Sequence, residues 1–89
     1  MGIDLKKDSE ALKALGHPIR LKIVIGLLAN GDCNVNKIVD KLKLPQSTVS
    51  QHLAKLRHAH ILMPKKDGVK AHYCIKDKRM ADLIKALDK

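Results

Sequence analysis

The interior of this chain has to be built almost without rings. Tyr73 is its one aromatic residue, yet hydrophobic residues make up 45% of the 89 positions. A core of that kind rests on Leu, Ile and Val, and helices carry most of it. A chain this short buries one core and not two, so a single domain over residues 1–89 is expected, with little room for an elaborate active site.

Hydrophobic periodicity then divides the chain. Asp8 or Ser9 is placed to cap a first helix carrying Ala11, Leu12 and Leu15, with Gly16 near its end. Pro18 suits the first turn of a second helix, in which Ile19, Ile23 and Leu27 recur at four-residue spacing beside Val24 and Leu28. Asn30-Gly31-Asp32 stops it. A third helix turns Ile38, Val39 and Leu42 inward and Lys37, Lys41 and Lys43 outward, until Leu44-Pro45 ends it. Ser47 is the natural cap of a fourth helix with Val49, Leu53 and Leu56 on one stripe. Its opposite face shows Ser47, Thr48, Gln51, Lys55 and His58. A strand through Ile61, Leu62 and Met63 runs by Pro64-Lys65-Lys66 into a basic tip at Asp67-Gly68, and a second returns through Val69, Ala71, Tyr73 and Ile75. The last helix begins near Lys78 and carries Met80, Leu83, Ile84 and Leu87, a stripe with little left in one chain to cover it.

Charge narrows the partner. Eighteen Lys and Arg against nine Asp and Glu give +9, which suits a polyanion but equally a membrane surface or mere solubility. The stretch from Lys37 to Lys70 holds eight basic residues (Lys37, Lys41, Lys43, Lys55, Arg57, Lys65, Lys66, Lys70) and two acidic ones (Asp40, Asp67), making it the expected anion-facing surface. No apolar run approaches a membrane span, and the first twenty residues hold Asp4, Asp8 and Glu10 instead of a signal-peptide core. Met1-Gly2 hints at myristoylation, but Lys6 stands where that motif needs Ser or Thr. A cytoplasmic protein without a membrane partner is expected.

Two helices joined by a tight turn, the second polar outside, followed by a basic hairpin, make a winged helix-turn-helix: mainly α with a small β-hairpin wing, in the order α-α-(β)-α-α-β-β-α. The major groove of B-DNA admits one helix, and amides and hydroxyls near that helix's N-terminus read base edges. Lysines on the supporting helix and hairpin neutralise flanking phosphates; the candidates are Lys37, Lys41, Lys43, Lys55, Lys65, Lys66 and Lys70. Double-stranded DNA is the expected partner. An enzyme is not expected, since no nucleophile-base pair, phosphate-binding loop or paired carboxylates occur, and no cofactor is expected. The rival reading is a winged-helix module for protein contacts or for nucleic acid without sequence preference.

The runs Leu12-Lys13-Ala14-Leu15-Gly16-His17-Pro18-Ile19-Arg20-Leu21 and Leu44-Pro45-Gln46-Ser47-Thr48-Val49-Ser50-Gln51-His52-Leu53-Ala54-Lys55-Leu56 closely resemble the ArsR/SmtB family of bacterial and archaeal repressors, and among them the PagR/HlyU-like branch that lacks the usual metal sites. The resemblance implies base contacts at Gln46, Ser47, Ser50 and Gln51, to which the helix face adds Thr48. It also implies a homodimer joined through the first and last helices, with Leu12, Leu15, Met80, Leu83, Ile84 and Leu87 as interface candidates, and repression at an inverted-repeat operator. Where the family's recognition helix commonly ends in a glycine of left-handed conformation this chain has His60, which tolerates that geometry at small cost.

Sensing is where the sequence departs from the family. Metal sensors of one kind carry Cys-Val-Cys centred where Val35 stands, and here Asn34 and Asn36 flank it with Cys33 one position out. Those of the other kind use Asp and His on the last helix, and here Asp77 is followed by Arg79. His52, His58 and His60 are spaced by six and two, which does not place them on one helix face, so surface or packing roles are expected rather than metal ligation. Cys33 and Cys74 are expected to be separate thiols, since alternation sends them to opposite sides; a redox switch between them is the lesser alternative.

Neutral amides are poor ligands for soft or borderline metals, and a guanidinium is none at all. Zinc, cadmium and arsenite are therefore expected to leave the DNA complex intact in a gel-shift titration. Stoichiometric release that persists in a Cys33→Ser, Cys74→Ser double variant would contradict this reading.

Overall fold

The computed structural model describes residues 2–30, 33–34, 40–67 and 70–88. Its elements are α1 (Leu5–Leu15), α2 (Pro18–Asn30), β1 (Cys33–Asn34), a helix α3 described at residues 40–42, α4 (Gln46–His58), β2 (Leu62–Asp67), β3 (Lys70–Ile75) and α5 (Lys78–Leu87). Gly31, Asp32, Val35, Asn36, Lys37, Ile38, Val39, Gly68 and Val69, to which the sequence assigns a helix stop, a strand, most of the supporting helix and the hairpin tip, lie outside the described residues. The order is that of a winged helix-turn-helix.

The core is aliphatic, as one aromatic residue requires. Ile23, Val24 and Leu27 of α2 meet Val49, Leu53 and Leu56 of α4, with Ala11 and Leu15 of α1, Ile61, Leu62, and Met80 and Ile84 of α5 closing the cluster. Leu56 and Ile61 are wholly buried, and each such side chain contributes about 1.5–3 kcal/mol. Tyr73 and Ile75 lie partly buried at the margin of this cluster. Among the described residues no helix is long and apolar enough to cross a membrane.

The strands form one antiparallel sheet in the order β1-β3-β2. β2 pairs along β3 from Leu62 opposite Ile75 to Asp67 opposite Lys70. Pro64 falls opposite Tyr73 on an edge strand, where its missing N–H need not break a ladder. On the other side of β3, Cys33 pairs with Tyr73 and Asn34 with His72.

Two helix starts differ from the sequence reading. α1 begins a turn earlier than a cap at Asp8 or Ser9 would allow, because Asp4 accepts the Lys6 and Lys7 amides at 3.1 Å. Asp8 sits inside the helix and accepts the Asp4 amide at 3.0 Å, closing the turn from the other side. α4 starts at Gln46, one residue ahead of the expected cap Ser47, with Pro45 in the capping position and no side chain capping it. The Pro45 carbonyl accepts the amides of Thr48 and Val49 at 3.0 and 3.1 Å, so proline's fixed φ begins the helix and Ser47 is left outside-facing. The last helix starts at Lys78 as expected, capped by Asp77 through the Arg79 and Met80 amides.

The end of α4 follows the sequence reading closely. His60 adopts a φ of 62°, its amide donates to the Arg57 carbonyl at 2.9 Å, and the Ile61 amide donates to the Leu56 carbonyl at 3.0 Å. This paired closure is the Schellman arrangement, with the buried Ile61 folded back over Leu56. A left-handed residue other than glycine costs about 1–2 kcal/mol, and glycine returns about half of that as lost chain freedom. His60→Gly should therefore stabilise the fold by about 0.5–1 kcal/mol and raise the thermal midpoint by about 2–8 °C, as read by circular dichroism. A lower midpoint would show that the exposed imidazole makes contacts worth more than the strain.

Candidate nucleic-acid interface

α4 is two-faced because its sequence is. Val49, Leu53 and Leu56 are 1%, 5% and 0% exposed, while Gln46, Ser47, Ser50, Gln51, Lys55 and His58 stand in solvent. Thr48 is half-buried between the two faces. Pro45 offers no side-chain oxygen to the first turn, so no side chain caps the amides of Gln46 and Ser47. Such a surface can hydrogen-bond to base edges and favours anions at its N-terminal end.

The flanking cations distribute around this helix. Lys41 and Lys43 precede it, Lys43 with a φ of 53° at the end of α3, and both are exposed. Lys55 is exposed on α4 itself and Lys65 on β2. Lys66 and Lys70 occupy β2 and β3, with Lys66 opposite Ala71 and Lys70 opposite Asp67; Lys37 lies outside the described residues.

The sequence reading missed what holds α4 in place. His17 is the N-cap of α2: its Nδ1 accepts the Ile19 amide at 3.1 Å and its carbonyl accepts the Leu21 amide at 2.9 Å. The Arg20 Nε donates to the Ala14 carbonyl at 2.5 Å, satisfying an open carbonyl in the last turn of α1, and Nη1 reaches His52 Nδ1 on α4 at 3.4 Å. The rings of His17 and His52 lie 4.7 Å apart. Burial, aided by His17, Arg20 and Lys55, lowers the pKa of His52 below that of an ordinary histidine. The one available signal was the pair of runs that carry these residues; spacing cannot show that positions 32 apart touch.

A second long-range contact ties the helices that the dimer expectation names. The Arg79 Nη2 donates to Asp8 Oδ1 at 2.5 Å and its Nε lies 3.8 Å from Asp77 Oδ1. The guanidinium beside Asp8 holds that carboxyl below the usual aspartate range. Among the described residues no three potential metal ligands cluster. Of the six interface candidates, Leu15, Met80 and Ile84 are already 6%, 4% and 7% exposed within one chain. Leu12, Leu83 and Leu87 remain 52%, 45% and 76% exposed, with Ile3 at 55% beside Leu12 and Leu83. In the sheet, Cys33 is in register with Tyr73 and Cys74 with Met63, so the two cysteines are not cross-strand partners.

Residues 17–62 match the family model described as bacterial regulatory protein, arsR family. The chain belongs to the arsR family. It is 43% identical to the transcriptional repressor PagR of Bacillus anthracis over 97% of this chain and 86% of PagR. The crystal structure of that repressor superposes with a TM-score of 0.86, covering 94% of this chain and 95% of PagR. HlyU from Vibrio cholerae, 30% identical, superposes with a TM-score of 0.86 over 98% of this chain and 94% of its own. A homodimeric winged helix-turn-helix DNA-binding domain, Mb0332 of Mycobacterium bovis, is 26% identical and gives a TM-score of 0.81 over 93% and 76%. This arsR-family protein is thus a transcriptional regulator of the PagR/HlyU-like branch and not an enzyme.

Proposed function

We propose that this regulator is a cytoplasmic homodimeric repressor that occupies an inverted-repeat operator, its two α4 helices entering successive major grooves and its hairpins lying along the flanking backbone. The observation that carries this reading is the split surface of α4, polar and exposed at Gln46, Ser47, Ser50 and Gln51 and buried at Val49, Leu53 and Leu56. Ser50 and Gln51 read bases, Thr48 borders them, and Lys41, Lys43, Lys55, Lys65, Lys66 and Lys70 set the register on phosphates, with Lys37 assigned from sequence alone. The Mycobacterium bovis domain, described as homodimeric and DNA-binding, supports both halves of the proposal. Leu12, Leu83, Leu87 and Ile3 form the surface offered to the second copy, underlain by Leu15, Met80 and Ile84. The two cysteines gain no support as a redox pair from the sheet register.

Selection from a random-sequence duplex pool should enrich a palindromic site. On that site Gln51→Ala should cost about 1–3 kcal/mol and much less on random duplex, whereas Lys55→Ala should weaken both alike and reduce the salt slope by about one unit. Equal losses on both duplexes for Gln51→Ala would favour the non-specific module instead.

The oligomeric state is checked separately. Sedimentation at micromolar concentration should give about 20 kDa, twice the 9.9 kDa chain. Leu83→Asp, which puts a charge on the exposed side of α5 away from the core, should shift the protein to monomer with its helical content retained. A dimer unaffected by that change would move the interface elsewhere.

A further inference from the structure

His17, Arg20 and His52 form one contact unit at the corner of α1, α2 and α4. His17 Nδ1 is occupied as an acceptor by the Ile19 amide, and His52 Nδ1 faces a guanidinium, which has protons to give and no lone pair to receive one. The contact to Arg20 is made by a neutral His52 ring with its proton on Nε2. A proton added at His52 Nδ1 opposes Arg20, which is itself fixed to the Ala14 carbonyl. The ring of His17 packs beside that of His52 with centroids 4.7 Å apart.

We propose that these three side chains are positioning residues for the recognition helix, and that protonation of His52 releases the helix from the α1–α2 corner, making operator recognition acid-sensitive. This rests on the operator reading above. His52 follows Gln51 directly, so the corner grips the helix at the turn that presents Ser50 and Gln51 on its other side. Recognition groups must be held to within about 0.5 Å and 10–20° to work, and a grip at that turn fixes both their height and their rotation in the groove.

The surroundings give the device its direction. α2 contributes Arg20, the corner His17, and α4 itself Lys55, all of which disfavour a charged His52 after burial has done so. α1 brings Glu10 and Lys13, which line the adjoining groove with Lys55 and His58. β2, the third element packed on α4, enters the core through the apolar Leu62. A histidine held neutral takes up its proton more readily in the unfolded chain. Its contribution is whole above the ordinary value of 6.5 and is lost as pH falls from there through the lowered folded value.

The test compares wild type with His52→Asn and with His52→Gln. Asparagine places a non-titrating oxygen where His52 Nδ1 stands, preserving the contact to Arg20, and glutamine removes the titrating ring at the same position. The readout is the ratio of affinity for the selected duplex to affinity for random duplex, from pH about 7.5 to about 5.5, because the ratio cancels the general gain in DNA affinity that any protonated histidine brings. The wild-type ratio should fall severalfold, up to about tenfold, and the His52→Asn ratio should stay within about twofold. A flat wild-type profile, or equal falls in wild type and variants, would overturn the proposal. If no duplex is enriched at any pH, the operator reading fails, and thermal midpoints without DNA decide the lock alone. The wild-type midpoint should drop more steeply with acid than that of His52→Asn, and parallel curves would overturn the lock. Should His52→Asn not fold, His52→Gln carries the same two comparisons.

Discussion

The polar groups left over where α1 ends and α2 begins govern how the rest of this small protein is arranged. Two helices meeting at a corner expose carbonyls on one side and amides on the other, and neither set can be left unpaired near an apolar core. Arg20 answers the Ala14 carbonyl and His17 answers the Ile19 amide. Both residues then continue onto His52, so the groups that satisfy the corner also hold α4 against it. Apolar packing alone would leave α4 freer to slide, because Val49, Leu53 and Leu56 meet flexible aliphatic neighbours without the directional preferences of rings.

The same economy shapes the two ends of α4. Its start is a proline without a capping side chain, which leaves first-turn amides and the hydroxyl of Ser47 unspent. Its finish is fully closed by the left-handed His60 and the buried Ile61, which turns the chain sharply into β2. An open N-terminus and a sealed C-terminus suit a helix whose first turns meet an anionic polymer and whose last turn must carry a hairpin at a fixed angle.

What could be read from the residues follows from range. The stripe Val49, Leu53, Leu56 and its polar reverse are set by a period of 3.6 residues, and the structure has both faces where that period puts them. The left-handed His60 was legible because helix closure is decided within six residues. The cap of α1 was not, since Asp4 and Asp8 have the same chemistry and only the reach of Arg79, 71 positions away, distinguishes the one that caps from the one that also bridges. The α5 stripe was legible as apolar but not as divided: Met80 and Ile84 belong to the core while Leu83 and Leu87 face out, a split that depends on where α2 packs. The imidazole pair and Arg20 lay inside the very runs that carried the family resemblance, yet nothing local tells a capping histidine from a surface one.

Taken together, the long-range polar contacts link the two surfaces that a repressor of this kind must coordinate. Arg79 fastens the start of α5 to Asp8 near the start of α1. From Asp8, α1 runs six residues further as a continuous helix, about 9 Å, to the Ala14 carbonyl that Arg20 holds, and Arg20 reaches α4. Leu12, on the outer side of α1, and Leu83, on the outer side of α5, are the exposed apolar residues of this same pair of helices. A second copy seated on them would therefore press on α1 from outside, and α1 has charged or capped contacts at both ends through which to pass that load. In the proposed dimer the spacing of the two α4 helices would then be set by rigid helices and short directional bonds, with the aliphatic core supplying cohesion and the helix ends supplying geometry.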